Sequence, residues 1–229
     1  YREGVGGRAK TDLTDAQLLA RYLRKEKDEL RRWMPPPKAY RTLQSLLRRR
    51  AALVKARTAL RQSLSAEPLL KTALATLLKQ IDRIDHLIQK RLREAAHAAG
   101  LRDQVQRCQA IDGIGELTAT ALVMAFLRGD FRNSDAFVAF LGLDVRVRDS
   151  GKLKGKRRLT KQGDTEVRRL LHCSAMSGAR HPTWKAFYQR YRDRGLKTTQ
   201  ALVILARKLA RVAFALMKYQ ENYCAPRLS

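Results

Sequence analysis

Long stretches of the chain place apolar residues three and four positions apart, which is the spacing of amphipathic helices. From 38 to 64, leucine recurs at Leu46, Leu53 and Leu60, and a second stripe follows Glu67-Pro68. The members of the second stripe are Leu70, Leu74, Leu77, Ile81, Ile84 and Ile88. Alternating steps of four and three are typical of a coiled-coil seam, and the short connection predicts an antiparallel helical hairpin.

Proline and glycine separate these helical patterns. A first helix is expected to begin at Thr11 or Asp12, and Pro35-Pro36-Pro37 stops it because proline lacks the N–H donor and fixes φ. Gly100 is expected to end the hairpin. We therefore predict a mainly α fold in three parts, residues 1–35, 36–100 and 101–229.

A short turn between two helical patterns opens the third part. It reads Ile111-Asp112-Gly113-Ile114-Gly115 and is similar to a helix-hairpin-helix turn. Gly113 and Gly115 would let the backbone approach a phosphate, and the next helix would offer free N–H groups to it. A tight turn without a ligand fits the same spacing, so both interpretations stay open.

The helical pattern breaks between 144 and 164. Val145-Arg146-Val147-Arg148 alternates like a strand, and 156–160 can pair with it across a turn at Asp149-Ser150-Gly151. Asp164 is then placed to cap the following helix. Ser150 would lie at the tip of a tight, basic loop.

This segment concentrates positive charge. From 144 to 169 the chain has ten Lys or Arg against four acids, within a total of 48 Lys and Arg, 21 Asp and Glu and a net charge of +27. The ten cations are Arg146, Arg148, Lys152, Lys154, Lys156, Arg157, Arg158, Lys161, Arg168 and Arg169. From 38 to 100 there are fourteen against four. Such an excess predicts a polyanion as partner. The ten cations from 144 to 169, except Arg169, are candidate DNA contacts.

A serine ringed by cations suggests phosphoryl chemistry. Serine is a poor nucleophile without a base, and no histidine lies in this loop, so a hydrolase triad is not indicated. Guanidinium and ammonium groups instead offset charge that develops on a phosphoryl group under attack. A solvated basic turn is the alternative that spacing alone favours.

Residues 150–171 read S-G-K-x-x-G-K-x-x-x-x-K-x-G-D-x-x-V-R-R-x-L. This run resembles the C-terminal domain of the DEDD transposases of bacterial insertion sequences. That family includes the Piv-type pilin-gene invertases and the bridge-RNA-guided recombinases. The resemblance implies that Ser150 is the nucleophile that joins a DNA phosphate. It also implies a coiled-coil linker used for dimerisation.

Asp12 and Asp15 are the candidate metal ligands. Three residues apart, they share a helix face, where they can stabilise the N-terminus or help to hold Mg²⁺. Lys10-Thr11-Asp12-x-x-Asp15-Ala16 resembles the family's K-T-D-x-x-D-A signature, whose aspartates complete a four-acid site on a RuvC-like fold. Residues 1–35 would then be the last part of that domain. The family's other two acids are expected upstream of Tyr1, so Mg²⁺ is expected only with them and this chain alone is expected to be inactive.

The implied function is strand exchange through a serine–phosphate intermediate, by a dimer or a tetramer, with DNA as substrate and a guide RNA as a further partner in some members. A non-catalytic DNA- or RNA-binding scaffold is the alternative.

Three distant cysteines, Cys108, Cys173 and Cys224, fit neither a disulfide framework nor a zinc site and favour a reducing cytoplasm. The sequence contains no apolar run of about 18 residues, so no membrane-spanning helix is predicted.

Overall fold

The computed structural model describes residues 11–30, 33–150 and 153–225; for 146–150 and 153–157 it describes the backbone. Within these ranges the protein is mainly helical, as predicted, with nine α-helices and one two-stranded sheet. The helices are α1 (Asp12–Glu26), α2 (Lys38–Leu64), α3 (Lys71–Ala98), α4 (Arg102–Gln109), α5 (Glu116–Phe126), α6 (Ser134–Phe140), α7 (Thr165–Gly178), α8 (Pro182–Asp193) and α9 (Thr198–Tyr219). Strands β1 (Val145–Ser150) and β2 (Leu153–Leu159) lie between α6 and α7.

The chain divides into two compact units, Tyr1–Pro35 and Pro36–Ser229. In the first unit, α1 begins with a capping box in which Thr11 Oγ1 accepts from the Thr14 N–H at 3.2 Å. The cap is therefore Thr11, whereas Asp12 and Asp15 lie in the first helical turn. None of the residues of α1 is buried.

In the second unit, α2 and α3 form an antiparallel pair joined through a 3-10 turn at Pro68–Leu70. Arg50 Nε lies 2.8 Å from Asp85 Oδ1 and Arg57 Nε lies 3.2 Å from Asp82 Oδ1, so residue numbers rise on one helix as they fall on the other. The apolar stripe of α3 divides between two environments. Leu74 and Ile81 are buried where α3 packs on α2, but the alternate members Leu70, Leu77 and Ile84 are 40, 42 and 48% exposed.

The start of α2 and the end of α3 share one hydrophobic core with the rest of the unit. Leu43 and Leu47 of α2 and Leu92 of α3 join a cluster of buried side chains from α4 to α9. Helix α9 lies at its centre, with ten buried residues and contacts to α4, α5, α6, α7 and α8. The three-part division into 1–35, 36–100 and 101–229 stays a prediction.

The turn between α4 and α5 depends on a close backbone approach. Gly113 has φ +90°, and a Cβ there would lie 2.8 Å from both Cα and N of Gly178 in α7. Gly115 precedes α5 at its N-cap position, and a Cβ there would meet nothing within 4 Å. The two glycines of the motif therefore have different structural roles, and Gly113 alone is required for packing.

We predict that Gly113→Ala lowers the free energy of unfolding by about 2–4 kcal/mol, because the new methyl group collides with the α7 backbone and the residue keeps a left-handed φ. Gly115→Ala is the matched control and should change stability by less than about 0.5 kcal/mol. Chemical denaturation of both variants measures the difference. Equal stabilities would show that the close approach of Gly113 to Gly178 of α7 does not constrain the turn.

Candidate nucleic-acid interface

The two strands form an antiparallel ribbon as predicted, but Asp149 and Ser150 belong to β1 rather than to the turn, and β2 begins at Leu153 rather than at Lys156. Val145 pairs with Leu159, Arg146 with Arg158, Val147 with Arg157 and Arg148 with Lys156. The register shifts between Arg148 and Ser150, where the alternation of the first strand ends. A two-stranded ribbon has little stability of its own, so its attachment to the core determines its geometry.

The register brings like charges opposite each other. In the backbone register, Arg146 lies opposite Arg158 and Arg148 lies opposite Lys156. Like charges at directly opposed positions destabilise a ribbon. A bound polyanion would offset such repulsion.

Ser150 occupies the far end of the ribbon, where it pairs with Leu153 as the last pair in the register. Gly151 and Lys152, which complete the predicted turn and its cations, lie outside the described residues. The backbone therefore holds Ser150 at the end of β1, with strands rich in Lys and Arg on both sides.

At its near end the ribbon is fixed by contacts between backbones. The Lys161 N–H donates to Gly142 O at 3.2 Å, the Thr160 N–H donates to Asp144 O at 3.1 Å, and the Thr160 hydroxyl donates to the Asp144 carboxylate. A Cβ on Gly163 would lie 2.5 Å from the carbonyl carbon of Leu141. This crossing ties the chain entering the ribbon to the chain leaving it.

Helix α7 begins directly after the crossing. Asp164 caps it as predicted, since its Oδ1 accepts from the Glu166 N–H at 2.9 Å and the Val167 N–H at 3.4 Å. Arg168 donates to Gly163 O at 2.6 Å, so this predicted DNA contact is also a brace for the loop. Lys161 and Arg158 are exposed on the approach to the cap.

Two residues of α2 reach the same cap. Gln44 Nε2 lies 3.5 Å and Arg48 Nη2 lies 3.6 Å from Asp164 Oδ2. These contacts span more than a hundred residues of sequence, and the excess of basic residues in α2 was the only sign of them in the sequence. They bring the helix pair next to the loop that carries the predicted site.

Comparison with known proteins identifies the family of the chain. A model described as "Transposase IS116/IS110/IS902 family" matches residues 105–189, and a DEDD-type IS110 model described as "Transposase" matches residues 1–74. Together these models cover more than half of the chain. The chain belongs to the IS110 family of transposases.

Individual relatives agree with this membership. The chain is 28% identical to the "Pilin gene-inverting protein" of Moraxella bovis over 237 residues, covering 97% of the chain and 70% of the relative. It is 31% identical to the "Probable family 20 transposase" of Pseudomonas aeruginosa over 67% of the chain and 45% of the relative. Identity to the "Transposase for insertion sequence element IS1111A" of Coxiella burnetii is 30%, over 71 and 46% of the two chains.

The two IS110 matches divide the candidate site residues. Asp12 and Asp15 fall in the DEDD-type match at 1–74, and the ribbon with Ser150 falls in the match at 105–189. Among the described residues no three His, Cys, Asp or Glu side chains form a group that could hold a metal ion. Two carboxylates three residues apart fit part of a Mg²⁺ ligand set, which needs several further oxygen ligands.

Asp112 attaches the glycine turn of this IS110 chain to α8 and to Tyr223 through hydrogen bonds. Its Oδ2 accepts from Thr183 Oγ1 at 2.7 Å and from the Tyr223 hydroxyl at 3.3 Å, and its carbonyl oxygen accepts from Trp184 Nε1 at 2.9 Å. Burial, together with the Asp112 carboxylate, raises the pKa of Tyr223 to about 12.

At the N-terminus of α5, directly after the turn, Arg93 Nη1 lies 3.1 Å from Glu116 Oε2. A phosphate at that helix N-terminus would have to compete with the Glu116 carboxylate for the positive end of the helix. Phosphate binding by Gly113 and Gly115 stays a prediction.

Cys108, Cys173 and Cys224 are free, and burial raises the pKa of the Cys108 thiol to about 12. Within the described residues, no helix is long and apolar enough to cross a membrane. Neither feature adds a candidate site to the ribbon.

We predict that Gly163→Ala destabilises the protein by about 1–3 kcal/mol, because a methyl group cannot fit against the carbonyls of Phe140 and Leu141. Gly129→Ala is the matched control, since its Cβ would meet nothing within 4 Å. Limited trypsin digestion gives a local readout, and cleavage within 145–160 should accelerate in Gly163→Ala only. Equal cleavage in both variants would contradict a ribbon held by this crossing.

Proposed function

We propose that the chain, as part of a protein that carries all four acids of the DEDD domain, performs DNA strand exchange with Ser150 as the nucleophile. Its Oγ attacks a backbone phosphorus, the Oγ–P bond forms, and the bond from phosphorus to one deoxyribose oxygen breaks. That oxygen takes up a proton and leaves as a hydroxyl group, so the phosphodiester energy is kept in the covalent link. The observation that carries the proposal is the position of Ser150 at the far end of a ribbon of basic residues, in a chain of the IS110 family.

The cations of the ribbon have two roles in this proposal. Arg146, Arg148, Lys156 and Arg158 would bind the DNA backbone, and cations nearest the serine would offset the charge on the phosphoryl group in the transition state. Lys152, Lys154, Arg157, Lys161 and Arg168 complete the proposed set. DNA is the substrate we infer, because the relatives carry names that refer to gene inversion and to transposition.

Asp12 and Asp15 are proposed as two ligands of Mg²⁺. When bound, the ion would lower the cost of charge on the reacting oxygens. The chain's own contribution is to present two carboxylates on one face of the first turn of α1, where Thr11 fixes the helix start. Two further acids are needed to complete such a site.

The test is a denaturing gel with end-labelled DNA, using a protein that carries all four acids of the DEDD domain. We expect the unaltered protein to give a covalent protein–DNA adduct and Ser150→Ala to give none. Ser177→Ala, an exposed serine of α7, is the matched control and should retain the adduct. DNA affinity should stay nearly the same in Ser150→Ala, since one hydroxyl adds little to a site dominated by cations.

Asp12→Asn and Asp15→Asn should also lose the adduct while affinity holds or rises, because each removes negative charge near DNA. An adduct that persists in Ser150→Ala would identify another nucleophile. DNA binding without any adduct in the four-acid protein would instead favour the non-catalytic scaffold.

Self-association through α2 and α3 is a second part of the proposal. Leu70, Leu77 and Ile84 recur at seven-residue steps and remain 40–48% exposed in the single chain. Leu87, 54% exposed, widens this apolar row. A second copy covering the row would bury it, and strand exchange between two DNA sites needs at least a dimer.

We expect the chain to sediment as a dimer or tetramer at micromolar concentration and Leu77→Glu/Ile84→Glu to sediment as a folded monomer. Lys79→Glu/His86→Glu, an exposed pair with the same spacing on α3, should keep the assembly. Sedimentation velocity and circular dichroism measure both properties. A monomeric unaltered chain would contradict the proposal.

A further inference from the structure

A basic groove follows α2 outside the ribbon. It consists of two cavities, of about 740 and 380 Å³, that share Arg41 and Ser45. The larger lies between α2 and the last turns of α3, and the smaller continues along α2 towards Ala52. The basic side chains that line this α2 groove are Lys38, Arg41, Arg48, Arg49 and Arg91.

The groove has a surplus of positive charge. Five cations line it against one acid, Glu94, which is already paired with Arg91 at 2.9 Å. Lys38 and Arg41 make no ion pair with any described residue, and Arg49 donates to Ser45 Oγ without contacting an acid there. Most of its donors are therefore available to an anion.

The spacing of these cations suits a polymer of phosphates. From Lys38 to Arg49 the helix rises about 16 Å at 1.5 Å per residue. One strand of duplex DNA passes about five phosphates over that distance, at 3.4 Å per phosphate along the axis. A small anion would use only part of such a row, whereas a DNA backbone can use all of it.

The groove also adjoins the predicted site. Arg48 and Gln44 contact Asp164, the cap of α7, directly after the crossing that fixes the ribbon. The Asp164 carboxylate accepts from two backbone N–H groups as well, so its charge is largely compensated. DNA that extends from the groove to Lys161 and Arg158 would therefore meet no uncompensated negative charge at Asp164.

We propose that the α2 groove binds the phosphate backbone of duplex DNA beside the segment held by the ribbon. It adds a second, sequence-independent contact that positions the duplex, because phosphate contacts set orientation without reading bases. The groove requires that the protein acts on DNA but does not require that Ser150 is the nucleophile. The two proposals can therefore fail separately.

The test compares two double variants of the whole chain. Arg41→Gln/Arg49→Gln removes two groove cations, and Lys55→Gln/Lys79→Gln removes two exposed cations of α2 and α3 that lie outside the groove. Fluorescence anisotropy gives the affinity for a labelled 30-base-pair DNA duplex over a range of salt concentrations. A duplex RNA of the same length is the second probe, and circular dichroism verifies folding.

Each lost phosphate contact should reduce the slope of log K against log salt by about 0.9. We expect Arg41→Gln/Arg49→Gln to reduce the slope for DNA by about 1.8 and the control pair to change it by less than half as much. Equal changes in both pairs would overturn the proposal, since the effect would then be one of net charge. A reduced slope with RNA alone, or no binding of DNA by the unaltered chain, would also overturn it.

Discussion

The ribbon that carries Ser150 depends on one backbone crossing. Gly142, at φ +69°, and Gly163 bring two chain segments so close that a Cβ on either would lie within 2.8 Å of backbone atoms of the other. The crossing attaches to the helical core a pair of strands that would not be stable alone. It also sets the start of α7, whose cap receives Gln44 and Arg48 from α2. The site, the core and the helix pair therefore meet at this point.

Charge explains why it is useful to fix the position of the ribbon. The chain concentrates like charges on a narrow ribbon and along α2, and each arrangement costs free energy in the absence of a polyanion. A flexible segment would spread these charges apart and lose the alignment with phosphates. Holding them in place before binding would remove part of the ordering cost of binding a polyanion. The same constraint would keep a serine aligned with one phosphate, which a nucleophile without a nearby base requires.

Local chemistry made much of the fold predictable. Helical periodicity, the alternation from Val145 and the capping side chain of Asp164 act within a few residues, and each led to the observed element. Contacts between distant segments were not predictable. The packing role of Gly113 depends on Gly178, and the apolar stripe of α3 is half exposed because α2 covers only one side of it. The sequence left Thr11 and Asp12 open as the start of α1, because either side chain can cap a helix, and backbone geometry identifies Thr11 as the cap.

The central claim is that Ser150 carries the covalent bond to DNA. Its most direct test is mass spectrometry of the four-acid protein after reaction with DNA, nuclease trimming and digestion with trypsin. Cleavage after Arg148 and Lys152 isolates Asp149-Ser150-Gly151-Lys152, a peptide with one hydroxyl side chain. The account predicts a nucleotide attached to Ser150 in this peptide. A nucleotide attached to any other residue, such as a tyrosine, would contradict it.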